Sequence, residues 1–260
     1  MLELMNITKS FKQGLLHSGS QSVLDDVSLS LERGKTVGIM GDSGSGKTTL
    51  ARIAIRTVDP DSGKIFLDGS DITHLSSNKM RMYRSLLQMI FQHPEGALNP
   101  ELKLEKSLDE ALLKSGIPRN KLNDAKNEIC HEMNIPKSLL SRYPMQVSGG
   151  EIQRVALARV MAFDPIYLFM DEPTSMLDAS IQAHILNIIE RRSKKTNMGI
   201  ALITHDLDIV RKMCDDLVIL HQGRIIGKGI VDDVLYENDH EYIKKLVSSW
   251  DASKNIEKYL

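Results

Sequence analysis

A glycine-rich segment, residues 41–48, constrains this chain more than any other feature of its sequence. It reads GDSGSGKT and fits the pattern G-x-x-x-x-G-K-[ST]. The apolar run Thr36–Met40 before it is typical of a buried strand, and Thr48–Arg56 is rich in helix-forming residues. Such glycines let consecutive backbone N–H groups surround a phosphate, and the helix N-terminus favours its charge. We therefore expect Lys47 to reach the β- and γ-phosphates of a nucleotide and the Thr48 hydroxyl to bind Mg²⁺.

Composition and charge exclude several classes of protein. The 260 residues are 42% hydrophobic and 26% charged, which indicates an ordinary globular chain. The net charge of −1 provides no global basic field for nucleic acid, and no apolar run approaches the roughly 20 residues that span a bilayer. Cys130 and Cys214 form neither a disulfide framework nor a metal-binding pair. We therefore expect a soluble, cytoplasmic protein without a nucleic-acid partner.

Strand and helix patterns alternate along much of the chain. Strand-like runs at Ile166–Met170, Gly199–Ile203 and Asp216–Leu220 alternate with helical patterns such as Ile181–Ser193. This order predicts a mostly parallel sheet with helices on both faces. The segment from about residue 93 to 161 is mainly helical and is interpreted as an insertion into that α/β core.

Two carboxylates follow the apolar run that ends at Met170. In nucleotide hydrolases with such a glycine-rich loop, an acidic residue at a strand end holds Mg²⁺, which indicates this role for Asp171. The next residue, Glu172, has the chemistry to polarise a water molecule for attack on the γ-phosphate. Together with residues 41–48, this pair predicts nucleotide hydrolysis.

A Ser-Gly-Gly turn at residues 147–151 precedes the helical pattern Gln153–Met161. It is interpreted as a second anion-binding helix N-terminus. The alternative is a structural cap, in which Ser148 and Glu151 form a capping box. Because one nucleotide has only one γ-phosphate, two such helix ends suggest that two chains share each nucleotide.

The order of residues 41–48, 147–151 and 171–172 resembles that in the ATPase subunits of ABC transporters, over essentially the whole chain. The resemblance implies an α/β fold: a P-loop NTPase (RecA-like) core with an antiparallel β subdomain and a helical ABC-specific subdomain. The implied ranges are 1–92 and 162–238 for the core, 93–161 for the helical subdomain and 239–260 for a C-terminal tail.

The resemblance also implies roles for single residues. Gln92 matches the Q-loop glutamine that contacts Mg²⁺ and the attacking water, and His205 matches the switch histidine at the γ-phosphate. Phe11 is the aromatic residue expected to stack on adenine, and Asp178 matches the D-loop aspartate that acts across a dimer. The implied nucleotide-binding residues are Phe11, Gly41, Asp42, Ser43, Gly44, Ser45, Gly46, Lys47, Thr48 and Thr49. The implied Mg²⁺ ligands are Thr48, Gln92 and Asp171, and the implied catalytic residues are Glu172, His205 and Gln92. The implied contacts to the facing subunit's nucleotide are Ser148, Gly149, Gly150, Glu151 and Asp178.

The segment 147–151 departs from the family consensus Leu-Ser-Gly-Gly-Gln at two positions. Val147 keeps an apolar side chain, whereas Glu151 places a negative group near a nucleotide, which could weaken polar contacts there. Ser148 and both glycines match the consensus. We therefore expect ATP hydrolysis to be retained.

Three classes of function are compatible with these motifs. The first is the detached ATPase of an importer, which the lack of a membrane-spanning segment favours. The second is a soluble ABC ATPase of iron–sulfur assembly, DNA repair or translation. The chain has a single cassette and no long heptad run, which argues against DNA repair and translation, whereas iron–sulfur assembly stays open. The third, a P-loop kinase or regulatory module, would leave the matches at Ser148, Glu172 and His205 unexplained.

Two segments are similar to importers of the peptide/nickel group. Phe91–Pro100 resembles the stretch that follows the Q-loop in that group, and His240–Leu246 resembles its C-terminal His-x-Tyr segment. The compact chain looks most like the second ATPase of a nickel importer, with oligopeptides as the close alternative. The resemblance implies Mg²⁺ with ATP, separate permease subunits, a homodimer or sister ATPase, an extracytoplasmic substrate-binding protein as an indirect partner, and a position at the cytoplasmic face of the membrane.

Overall fold

The computed structural model of the chain describes residues 1–12, 20–173 and 179–257. The strands are β1 Leu2–Lys12, β2 Ser20–Leu31, β3 Thr36–Met40, β4 Ser62–Leu67, β5 Ser70–Asp71, β6 Leu87–Ile90, β7 Tyr167–Asp171, β8 Gly199–Ile203, β9 Asp216–His221 and β10 Arg224–Ile230. The helices are α1 Lys47–Ala54, α2 Ser77–Arg84, α3 Leu104–Lys114, α4 Leu122–Glu132, α5 Lys137–Leu140, α6 Gly149–Met161, α7 Ala179–Thr196, α8 Leu207–Met213, α9 Val231–Tyr236 and α10 Glu241–Glu257.

The chain forms two compact units. One contains Met1–Leu75 and the chain from Gly199 onward, and the other contains Ser76–Met198. The functional ranges implied by the resemblance, with a helical subdomain at 93–161, have different boundaries and stay a prediction. Within the described residues, no helix combines the length and the apolar character needed to cross a membrane.

The first unit contains an antiparallel sheet in the order β2-β1-β4-β5. Leu2 of β1 pairs with Leu31 of β2 on one side and with Leu67 of β4 on the other. All three of these leucines are buried, as are Leu4 and Ile7. This sheet buries one apolar face, as expected for antiparallel strands with alternating patterns.

The same unit contains neighbouring strands in the order β10-β9-β3-β8. β3 is parallel to both β8 and β9, and every residue of β3 and β8 is buried. Strands covered on both faces are apolar throughout, which explains the uninterrupted runs in the sequence. A core cluster joins β3 and β9 to α8, α9 and α10, and its buried members are Met40, Leu207, Val210, Leu217, Ile219, Val231, Val234, Leu235 and Ile243. The start of α10 is therefore packed close to the end of β3.

In the second unit, β6 and β7 are parallel, with Leu87 opposite Tyr167 and Ile90 opposite Met170. All five residues of β7 are buried. The helices α3, α4 and α6 pack on one another, and Lys126 of α4 forms ion pairs with Glu105 and Asp109 of α3. The start of α6 and the end of β7 therefore belong to the same packed unit.

Candidate nucleotide site

Residues 41–46 connect β3 to α1 through a backbone that only glycine tolerates at several positions. Gly41, Gly44 and Gly46 have φ angles of 146°, 80° and 106°, and Gly46 is the N-cap of α1. A Cβ atom at Gly41 would lie 1.9 Å from the Leu220 carbonyl oxygen. A Cβ at Gly46 would lie 2.7 Å from the Val23 carbonyl oxygen. The glycine pattern therefore produces a tight turn into a helix N-terminus, where N–H groups lack partners within the helix.

The side chains of this turn suit an anion. Lys47 Nζ donates to the carbonyl oxygens of Gly41 and Asp42, at 2.7 Å each. The Ser45 hydroxyl is buried and has no hydrogen-bond partner among the described residues. Because a buried hydroxyl is normally hydrogen-bonded, this group is suited to donate to a phosphate oxygen. Thr48 and Thr49 lie half-buried in the first turn of α1, and Ser43 is exposed.

His205 and Phe11 lie in the same unit as the turn. Because Ile39 of β3 pairs with Ile203 of parallel β8, residues 41–46 and His205 follow two neighbouring strand ends. His205 is exposed and directly precedes Asp206, whose carboxylate caps α8 by accepting from the Asp208 and Ile209 N–H groups. Phe11 is exposed near the end of β1, with Lys9 Nζ 5.4 Å from its ring centroid.

The second unit brings Gln92 and Glu172 together. Gln92 Nε2 donates to Glu172 Oε2 at 3.0 Å, across 80 positions of sequence. Asp171 is buried at the end of β7, and Glu172 adopts a φ of 47°, which is uncommon for a residue other than glycine. A buried carboxylate beside a second one held by an amide matches the predicted placement of these groups at the end of β7.

Gln153 supports this turn and was missed by the sequence-based predictions. Its buried amide lies on α6 and donates to the Pro173 carbonyl oxygen at 2.5 Å. Pro173 directly follows Glu172, so α6 is tied to the turn that carries the carboxylate. One signal in the sequence could have identified it. Gln153 is polar but lies four residues before the core residue Leu157, and so on the buried face of the helix.

The start of α6 forms the capping box that was the alternative interpretation. Glu151 Oε2 accepts from the Ser148 N–H at 2.8 Å and from its hydroxyl at 3.0 Å. The donated backbone N–H lowers the pKa of Glu151 against the effect of burial, and the Ser148 hydroxyl, Arg142 and Arg154 also lower it. Gly149 and Gly150 form the first turn, and a Cβ on Gly150 would lie 2.8 Å from Ile181 Cγ2. The anion-binding role of this turn stays a prediction.

The predicted magnesium ligands offer oxygen atoms of the kind that Mg²⁺ prefers. They are a hydroxyl from Thr48 in the first unit, and an amide from Gln92 and a buried carboxylate from Asp171 in the second. Over the described parts of the chain, no group of three or more His, Cys, Asp or Glu residues is arranged to hold a metal ion. The predicted Asp178 lies outside the described residues.

Comparison with known proteins decides the family. The family model for ABC transporters matches residues 24–175. This chain belongs to the ABC transporter family. It is 35% identical over 253 residues to the dipeptide transport ATP-binding protein of Lactococcus lactis subsp. cremoris, covering 96% of this chain and 80% of that protein. It is 33% identical over 251 residues to the oligopeptide transport ATP-binding protein of Streptococcus mutans, covering 96% and 81%.

Solved structures of an ABC cassette have the same fold. A dimeric bacterial ABC transporter cassette superposes with a TM-score of 0.79 and 25% identity, covering 89% of this chain and 99% of that one. Its post-hydrolysis state bound to ADP and Pi gives the same values. The predicted α/β fold of an ABC ATPase is therefore confirmed, and the chain is an ATP-binding ATPase of this family.

Proposed function

We propose that this ABC ATPase hydrolyses ATP to energise an importer whose membrane subunits are separate chains, with oligopeptides as cargo. The contact between Gln92 and Glu172 carries the hydrolytic part, because it holds a carboxylate beside the buried Asp171. The transport proteins that match nearly the whole chain support the importer assignment. They favour peptides over nickel, which is the second candidate that the segments 91–100 and 240–246 allow.

Nucleotide binding is assigned to the first unit. The turn 41–46 and the first turn of α1 donate N–H groups to the phosphates. The Lys47 ammonium keeps one proton on the Asp42 carbonyl and gives its other two to β- and γ-phosphate oxygens. Phe11 stacks on adenine. Thr48, Gln92 and Asp171 would hold Mg²⁺, which when bound supplies positive charge that offsets the charge of the phosphates.

Hydrolysis is assigned to Glu172. Its carboxylate orients a water molecule and accepts a proton as the water oxygen attacks the γ-phosphorus. The bond between that phosphorus and the oxygen bridging to the β-phosphate breaks, so the products are ADP and inorganic phosphate. His205 contacts the γ-phosphate, and Gln92 leaves or adjusts its contact with Glu172 when nucleotide binds.

The active form is a dimer in this proposal. Each ATP lies between Lys47 of one subunit and the segment 148–151 of the facing subunit, where Asp178 also acts. The dimeric cassette with the same fold supports this arrangement. The second subunit is another copy of this chain or a sister ATPase.

A cavity in the second unit is assigned to the membrane subunit. It has a volume of about 250 Å³ and is lined by β6, α3 and α6 together with Ala97 and with Phe91, which directly precedes Gln92. Its lining includes the apolar Met89 and Val160 and the charged Glu110 and Arg159. We assign it to side chains of a short helix from the permease, and in this proposal the ATPase lies at the cytoplasmic face of the membrane. An extracytoplasmic binding protein would deliver the cargo.

Glu172→Gln tests the hydrolytic assignment. In membranes with the permeases and any sister ATPase, we expect it to abolish ATP hydrolysis but to retain ATP binding, so that the ATPases accumulate as a dimer in ATP. Glu128→Gln is the matched control, because Glu128 is an exposed glutamate of α4. Normal turnover by Glu172→Gln, or a monomer in ATP despite the sister subunit, would contradict the proposal.

Cargo is tested separately in the same membranes. We expect the ATPase rate to rise when the binding protein is loaded with an oligopeptide. A rise with nickel alone would support the second candidate, and a complex that responds to neither would contradict both.

A further inference from the structure

We propose that Tyr242 is a positioning residue for nucleotide binding: its hydroxyl, on a ring packed against His221, holds the Asp42 side chain and thereby sets the place of Lys47. This inference rests on the proposed binding of ATP by residues 41–49. It gives the C-terminal segment 240–246 a role within this chain, in addition to its resemblance to importers.

Both carboxylate oxygens of Asp42 lie close to residues from the C-terminal part of the chain. The Tyr242 hydroxyl donates to Asp42 Oδ1 at 2.9 Å. His221 Nδ1 lies 3.2 Å from Asp42 Oδ2 without forming a hydrogen bond among the described residues. The two rings also pack on each other, with centroids 4.4 Å apart and planes at 31°. The Asp42 carboxylate therefore accepts a hydrogen bond from a tyrosine whose ring is packed against His221.

The backbone of Asp42 connects this side-chain contact to Lys47. Its carbonyl oxygen accepts from Lys47 Nζ at 2.7 Å and from the Ser45 N–H at 3.1 Å. A shift of Asp42 therefore changes the positions of two groups that we assign to the phosphates. The hydrogen bond from Tyr242 and the hydrogen bond from Lys47 both end on Asp42, so we infer that the first controls the second.

The start of α10, which carries Tyr242, is held by core packing and by a hydrogen bond. Its neighbour Ile243 is fully buried in the core cluster that contains Met40, the last residue of β3. The Tyr242 N–H donates to His240 Nδ1 at 3.2 Å, which fixes the first turn of α10. On the other side, His221 directly follows Leu220, whose carbonyl oxygen closely approaches Gly41.

Burial, together with the hydrogen bond to Asp42 and the charge of that carboxylate, raises the pKa of Tyr242 to about 12. The hydroxyl is therefore protonated and able to donate at any physiological pH. Asp42 is more than half exposed, so the contact is partly screened by water and its effect on binding is moderate.

Tyr242→Phe is the main test, because it removes the hydroxyl and keeps the ring. In the full chain, with its sister subunit where required, we expect the Kd and KM for Mg-ATP to rise about three- to tenfold with kcat changed less than about twofold. The matched control is Tyr236→Phe, since Tyr236 is an exposed tyrosine of α9. We expect this control to leave both constants unchanged.

A double-mutant cycle separates positioning from simple packing. If Tyr242 acts through Asp42, Tyr242→Phe has no further effect on the Kd for Mg-ATP in an Asp42→Ala background. The full effect in that background, or no effect in the wild type, would overturn the inference. If Tyr242→Phe lowers the folded fraction, Asp42→Ala alone must still raise the Kd, and an unchanged Kd overturns the inference.

Lys47→Ala distinguishes this inference from the proposed nucleotide site. No loss of Mg-ATP binding by Lys47→Ala would overturn the site and the inference together. Loss of binding by Lys47→Ala without an effect of Tyr242→Phe would overturn the inference alone.

Discussion

The carboxylate of Glu151 accepts two hydrogen bonds from Ser148, one from its backbone N–H and one from its hydroxyl. A serine hydroxyl has one proton, so this contact directs it toward the chain's own helix. In the proposed dimer, the same hydroxyl must turn toward the γ-phosphate of the facing subunit's ATP. In that dimer, Glu151 would compete with the nucleotide for the Ser148 hydroxyl and add negative charge beside it.

Glu151→Gln should strengthen the ATP-bound dimer. Glutamine keeps the capping box but lacks the charge, and its amide can donate to the Ser148 oxygen. We expect the dissociation constant of the dimer in Mg-ATP to fall about two- to fivefold, as for an exposed charge interaction of up to ~1 kcal/mol. Sedimentation in a Glu172→Gln background measures this constant, with Glu128→Gln as control. An unchanged or weaker dimer would show that Glu151 does not compete.

The ionisation of Glu151 should depend on Ser148. The folded pKa of Glu151 is lowered chiefly by the Ser148 N–H, so the contact stabilises the fold above the unfolded pKa of roughly 4.3. This stabilisation is lost as the pH falls through the folded pKa. Ser148→Ala should raise the pKa only part of the way, because the backbone N–H remains. NMR of the side-chain carboxyl carbon measures both values; equal values in the two proteins would contradict a role for the hydroxyl.

Gln153→Leu should destabilise the second unit. It leaves the buried Pro173 carbonyl without its donor, which costs about 1–3 kcal/mol of unfolding free energy. Because Pro173 follows Glu172, we also expect kcat to fall. Urea unfolding and ATPase rates at saturating ATP are the measurements. The control Gln182→Leu on α7 is expected to change stability by less than about 0.5 kcal/mol, and a similar loss in both variants would argue against this contact.

Two glycines of the turn 41–46 should differ in their tolerance of alanine. Gly44→Ala has a φ of 80° but meets no atom within 4 Å, so it should cost about 1–2 kcal/mol of stability. Gly41→Ala places its Cβ against the Leu220 carbonyl oxygen, and overpacking adds about 1–3 kcal/mol to the backbone strain. Thermal unfolding without nucleotide compares them, and the reverse order would contradict the close approach at Gly41.

Local patterns were sufficient for several parts of the fold and the site. The apolar run of β3 predicted a buried strand because strands covered on both faces have no polar side. The capping box at Ser148 and Glu151 was one of two interpretations, since its partners are three residues apart. The placement of Asp171 and Glu172 at a strand end likewise needed only the run before them.

Contacts between distant residues were outside the reach of such patterns. Gln153 was missed because a single polar residue on a helix does not identify the carbonyl that it will meet. Tyr242 was noticed only as part of a resembling segment, because Asp42 is 200 positions away. Neither partner is defined by spacing along the chain.

The amino-acid sequence by itself determined the glycine turn at residues 41–46, the alternating strands and helices, and the carboxylates at the end of β7, because backbone preferences and apolar periodicity act over a few residues. Only the tertiary structure decided that Gln92 holds Glu172 and that Tyr242 holds Asp42. These contacts depend on how buried faces pack, and packing brings together residues whose separation in sequence carries no information about their distance in space.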